Sequence, residues 1–170
     1  DMVLGCYWLT MDATTVEKEK HGEVRAFSCE DEVKLAYDSG VISIHEPILV
    51  KKYGEVNGET ICRIVPTTVG RIIFNEQIPQ DLGFVDRTVE GHELDYEISS
   101  TTGKSQLGKI VAACIKKHGF ALTADVLDNV KATGYHYSTM GAITIAVSDM
   151  MIPPEKKILI AETEKKIIEI

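Results

Sequence analysis

Apolar and polar positions alternate along this chain in several distinct rhythms, and each rhythm predicts a different element. Residues 2–10 are apolar almost without a break, which fits a helix or a buried strand equally well. Residues 11–23 are polar and loop-like. Ser28 followed by Asp31 resembles a capping box, and Val33, Ala36 and Tyr37 then form one helical face closed by Gly40. Residues 41–44 and 48–53 are rich in β-branched side chains. Asn57-Gly58 before residues 61–65 signals a hairpin. Thr67 or Thr68 can cap a short helix over residues 71–77, stopped by Pro79. Residues 80–100 are acidic and weakly patterned, an irregular connection.

The last third reads as helical. Leu107, Ile110, Val111, Cys114, Ile115 and His118 make a stripe that ends at Gly119. Thr123 caps a second helix with Val126, Leu127 and Val130 inward, ending at Gly134. Residues 142–147 read as a strand, and Pro153-Pro154 start a final helix. In it Ile160, Thr163, Ile167 and Ile170 repeat at 3-4-3 spacing, like one arm of a coiled coil. The fold class is α+β: short mixed β segments with a β-hairpin, then a helical hairpin and a C-terminal helix. Three parts are expected: 1–100, 101–152 and 153–170.

Composition changes this picture little. With 170 residues, 44% hydrophobic and 26% charged, the chain can bury a core without metals or disulfides. A net charge of −8 argues against an independent nucleic-acid binder, so only weak duplex binding is expected. Cys6, Cys29, Cys62 and Cys114 form no C-x-x-C pair and read as buried thiols in a reducing compartment. No run approaches a membrane span and no signal peptide is recognisable, so a soluble, cytoplasmic protein is expected. Both ends read as cut from something longer.

Candidate chemistry is sparse. Gly103-Lys104-Ser105 opens a helix, but a phosphate loop needs a glycine at position 98, where Ile98 stands. The helix pair around Gly119 suggests a helix-turn-helix that binds nucleic acid or a protein factor. Its second helix, however, offers Asp125, Asp128, Asn129 and only Lys131 to a DNA groove. His21, His45, His92, His118 and His136 lack ligand spacing, although His118 suits a helix C-terminus. Asp149 with Glu155 would suit a carboxylate pair, but carboxylates at such a corner usually cap the next helix. No catalytic, cofactor-binding or metal residue is assigned, and no tight magnesium site is expected.

Several stretches are collinear with the beta-prime subunit of bacterial RNA polymerase. Residues 1–10, DMVLGCYWLT, resemble that family's DMVLGxYxLT, and residues 67–79, TTVGRIIFNEQIP, resemble its TTVGRxxFNxxxP. The helix pair, the stretch GYHYST at 134–139 and TIAVSDM at 144–150 follow in order, then Ile152-Pro153 and Glu155-Lys156-Lys157. The resemblance implies a segment of a DNA-directed RNA polymerase, a nucleotidyltransferase, directly after the part carrying NADFDGD, whose aspartates hold the catalytic magnesium. That motif is absent here, so magnesium and zinc belong elsewhere in the full subunit and the segment alone is expected to be inactive.

The region so implied lines the secondary channel. Its expected partners are the other core subunits, secondary-channel transcription factors at the rim helix, and template DNA, RNA and nucleoside triphosphates in the full enzyme. The final helix resembles the first arm of the rim coiled coil, which the family completes immediately downstream. Two departures matter. Met140-Gly141-Ala142 stands where the family often has Arg-Ser-Gly, so that arginine's role does not transfer. Ala121 and Ala132 replace a Lys and a Tyr that some members use, with Asp128, to bind a guanosine tetraphosphate alarmone, so no alarmone site is expected.

Overall fold

The computed structural model describes residues 1–13, 24–56 and 58–168. The elements run α1 (Met2–Thr10), β1 (Arg25–Phe27), α2 (Glu30–Asp38), β2 (Pro47–Val56), β3 (Glu59–Thr68), α3 (Val69–Asn75), α4 (Lys104–Met140) and α5 (Glu155–Ile168), with one 3-10 turn at Val147–Asp149 before α5. The α+β class holds. β1 pairs parallel with β2, Arg25 opposite Ile48, and β2 pairs antiparallel with β3, Val50 opposite Val65. In β2, Ile48 and Val50 point into the core while Lys51 and Tyr53 face solvent, the two-residue period of a half-buried strand.

Two apolar clusters organise the described residues. One gathers Cys6 and Leu9 of α1, Phe74 of α3, Ile98, and Leu107, Ile110, Cys114, Val126 and Val130 of α4. The other joins Val33 of α2, Ile48 and Val50 of β2, Val65 of β3, Val69 and Ile72 of α3, and Tyr96. Short α3 thus touches both, with Ile73 packed against each. α1, left open between helix and strand by its sequence, is a helix. It crosses α4 so closely that a methyl group on Gly5 would overlap the carbonyl of Gly134.

That crossing corrects the reading of Gly134 as a helix stop. The second helix does not end there but runs on to Met140. Its start differs too, since Thr123 lies inside the helix and its hydroxyl donates to the Gly119 carbonyl at 2.6 Å. The expected pair is present as two helical arms that meet directly at Gly119, whose φ of 75° and ψ of −176° suit glycine alone. The break lets both arms share one cluster with α1. A straight 37-residue helix would be about 55 Å long and could not. The buried stripe of the second arm is Thr123, Val126, Val130 and Gly134, while Leu127 is 42% exposed.

Other expectations shift. Residues 41–44 and 142–147 form no strand, for neither stretch lies beside a strand able to pair with it. At α2 the N-cap is Cys29, and Ser28 meets Glu32 rather than Asp31: both its N–H and hydroxyl donate to the Glu32 carboxylate, which holds that carboxyl below its usual range. Thr68 does cap α3, accepting from Arg71 N at 3.3 Å. Asn57 and residues 14–23 lie outside the described residues, as do residues 169 and 170. Residues 80–100 carry neither helix nor strand, as expected.

Candidate functional surface

The stretch 67–75 is where the chain's most recognisable residues sit, and packing absorbs nearly all of them. Thr67, Thr68, Gly70, Arg71, Phe74 and Asn75 are buried. Gly70 N donates to Ile44 O at 2.9 Å, and a methyl group on Gly70 would overlap the Leu9 carbonyl. The Arg71 guanidinium donates from Nε to Thr10 O at 3.1 Å and pairs with Asp12 at 2.9 Å. Thr10 in turn donates to Cys6 O and accepts from Thr102 N, each at 2.8 Å. This chain of bonds fixes the end of α1, the start of α3 and the approach to α4 in one place.

Asn75 does the same for the irregular connection. Its amide donates to Arg71 O and Ile98 O at 2.8 Å and accepts from Ile98 N at 3.0 Å. Gln80 and Arg87 extend the network: Arg87 donates to Gln80 O at 2.9 Å and Glu93 O at 2.8 Å and faces the buried Glu97. Glu97 also accepts from Phe84 N at 2.8 Å. Residues 80–100 lack regular structure but satisfy their polar groups through these side chains, as burial requires.

Among the described residues, which do not include His21, none of the sequence's candidate sites gathers into a reactive group. Gly103 caps α4 in extended geometry, with Lys104 and Ser105 exposed in an ordinary first turn and Ile98 buried below. The helix-turn-helix reading loses its turn, because Gly119 alone separates the arms, and Lys131 is engaged with Asp128 at 2.6 Å. His118 and Lys117 meet Asp81, whose carboxyl lies below its usual range chiefly through the His118 hydrogen bond. His92 meets Asp95 at 2.6 Å, and His45 is buried, donating from Nε2 to Trp8 O at 2.6 Å. Asp149 accepts from Ala146 N at 2.8 Å and so closes the 3-10 turn rather than capping the final helix. Among the described residues no three His, Cys, Asp or Glu side chains are grouped to hold a metal ion.

The cysteines divide. Cys6 and Cys114 are buried free thiols, whereas Cys29 and Cys62 are exposed, which corrects the reading of all four as buried. Burial pushes the Cys6 thiol up to about 11. Sequence reasoning also missed a polar junction at Lys52. Its ammonium lies 3.7 Å from the Tyr96 ring centroid and 3.5 Å from Glu30, while Tyr96 donates to Glu30 at 2.6 Å. Burial lowers the Lys52 pKa and raises that of Tyr96.

Exposed apolar side chains are concentrated beyond Gly141. Every side chain from residue 144 to 167 is exposed. Val147 is 88% and Met151 92% exposed, and in α5 Ile160 is 47% and Ile167 66% exposed. The row anticipated at Ile160, Thr163 and Ile167 is thus present on a solvent-facing helix, flanked by exposed Ile158 and Leu159. The strand reading of residues 142–147 implies inward side chains, yet Ile145 and Val147 are exposed, as are Met150, Met151 and Ile152 beyond it. Rows of this kind mark interaction faces, since each isoleucine left in water forgoes roughly 1.5–3 kcal/mol.

Residues 1–150 match the family model for RNA polymerase Rpb1, domain 3. The chain is 49% identical over 170 residues to DNA-directed RNA polymerase subunit beta' of Clostridium botulinum strain Okra, which covers all of this chain and 14% of that protein. It is 49% identical over 170 residues to the subunit of Clostridium tetani, covering all of this chain and 15% of that protein. With the subunit of Caldicellulosiruptor saccharolyticus it shares 50% identity over 167 residues, 98% of this chain and 14% of that one. The chain therefore spans a small part of the length of the curated relatives it matches.

Proposed function

Because the chain belongs to the RNA polymerase Rpb1 domain 3 family, we propose that it serves as a segment of the largest subunit of a DNA-directed RNA polymerase, lining the secondary channel as a structural part without an active site of its own. The nucleotidyl transfer, its magnesium and the contacts with template, transcript and nucleoside triphosphates belong to the whole enzyme. Residues 1–100 and 101–152 form the wall, and residues 153–170 are the first arm of a rim coiled coil on which secondary-channel factors dock. The setting is the bacterial cytoplasm.

The observation that carries this reading is the contrast within the shared stretches. The side chains of residues 67–75 are spent on internal packing, which leaves nothing there to perform chemistry. The apolar row of α5 faces solvent, which calls for a helix from elsewhere in the subunit. Site-specific photo-crosslinking in the assembled polymerase tests it. A photoreactive group at Ile160 should crosslink within the same subunit, to a helix paired with α5, and one at Glu162 should capture an added secondary-channel factor. Crosslinks from Ile160 to nucleic acid or to another subunit would remove the rim assignment.

A further inference from the structure

The exposed arm of residues 144–167 leaves the body at one point, the last turn of α4, and that point is clasped by α1. Trp8 is the chain's only tryptophan. Its ring stacks on Tyr137 of α4, with centroids 6.4 Å apart and planes inclined by 28°, and meets His45 edge-on at 4.8 Å. His45 is itself anchored, donating to the Trp8 carbonyl at 2.6 Å, so the indole is held from two sides. A Cβ added to Gly141 would lie 3.0 Å from two atoms of that ring, closer than side chains ordinarily pack. The residue immediately after, Ala142, has φ of 46°, a left-handed conformation that a residue with a Cβ adopts at a cost.

These features converge on two consecutive residues. The Gly141 amide still donates to Tyr137 O at 2.9 Å, so it belongs to the helix end, and Ala142 N donates to Thr139 O at 3.1 Å while its φ turns the chain away. We propose that Trp8, His45 and Tyr137 form an aromatic clamp on Gly141 that holds Ala142 in its left-handed turn and thereby sets the direction in which the exposed arm leaves the body. Three things follow from the geometry. The bare Cα at 141 lets the indole lie flat against the turn. The indole closes off the space into which the turn would relax. Strain at Ala142 is sustained only while that contact persists, as strained residues persist only where their surroundings over-determine them.

The inference concerns direction and holds whether or not the arm borders a channel. A small rotation at the elbow becomes several ångström at the tip, since the 14 residues of α5 alone span about 21 Å. Distances between bioorthogonal nitroxide labels, measured by double electron–electron resonance in the full-length protein, test it. Labels at Lys109 and Lys165 report the arm, and labels at Lys51 and Lys109 report the body. The wild type should give a narrow arm distribution. Trp8→Ala and Ala142→Gly should each broaden it while the body distance stays fixed. Gly141→Ala should displace the arm peak when Trp8 is present and leave it in place in the Trp8→Ala background.

An arm distribution indifferent to Trp8→Ala with the body intact would overturn the clamp. So would a Gly141→Ala displacement of equal size in both backgrounds. Should Trp8→Ala disturb the body distance, Ala142→Gly and Gly141→Ala in the wild-type background decide: unchanged arm distances in both would refute the proposal, and altered ones would support it.

Discussion

The stretch around α3 and the arm beyond Gly141 carry similar apolar lettering and have opposite fates. VGRIIFN lies almost wholly buried between two clusters, and TIAVSDMMIP with the following helix lies wholly in solvent. The difference is not hydrophobicity but company. α3 follows directly on β3, is capped by Thr68, and is met by α1 across Gly70, so its apolar side chains find neighbours within this chain. The arm departs from the end of α4 with no strand or helix alongside it among the described residues, so the same kind of side chain stays bare. An identifiable sequence stretch can therefore be a folding device in one place and bare surface in another, and burial separates the two.

Truncation should break the symmetry most sharply. Phe74→Ala is expected to cost about 3–5 kcal/mol in urea unfolding, for the ring is fully buried among the side chains of the first cluster. Ile167→Ala, which removes apolar atoms from an exposed row, should change the stability of this chain by less than about 0.5 kcal/mol. Equal costs would erase the distinction between core and interface. Gly70→Ala comes next. A methyl group there meets the backbone carbonyl of Leu9, which cannot swing aside, and about 1–3 kcal/mol should be lost in the same titration. Thr68→Ala, removing the cap of α3, should lose about 1 kcal/mol.

A smaller effect concerns the thiols. Cys6 keeps its proton in the folded state until about 11, against an ordinary 9.0. Its contribution is full below the ordinary value and is lost as pH rises from there to the folded value, because the unfolded chain gives up the proton first. Alkylation followed by mass spectrometry should accordingly modify Cys29 and Cys62 first and leave Cys6 and Cys114 to global unfolding. Early modification of Cys6 would mean that the crossing of α1 with α4 opens.

The sequence made much of this legible where the signal was local. The hairpin strands, the cap at Thr68, the buried Leu107, Ile110 and Cys114 of the first α4 arm (though not Ile115, which is exposed) and the proline start of α5 are written in consecutive residues. It failed where the deciding contact is distant. Gly134 looks like a helix stop, yet it is the crossing point for Gly5, some 130 residues away. β1 is three residues long and exists only by pairing with β2. Residues 142–147 have strand-like lettering and no strand to join. The exposed row at Ile160 and Ile167 was legible because a coiled-coil spacing signals a missing partner in itself. The clamp at Trp8 was not, since a tryptophan, a histidine and a glycine scattered over residues 8–141 carry no shared pattern.

Hydrogen exchange of α5 measures the central claim most directly. In the isolated chain its amides should exchange far faster than those of α3, because its described side chains are all exposed and a lone helix of 14 residues is marginal in water. In the full-length protein α5 should become strongly protected while α3 keeps the protection it already had. Equal protection of α5 in both forms would contradict the account, for it would mean that this chain stabilises the helix alone and that the exposed row awaits no partner.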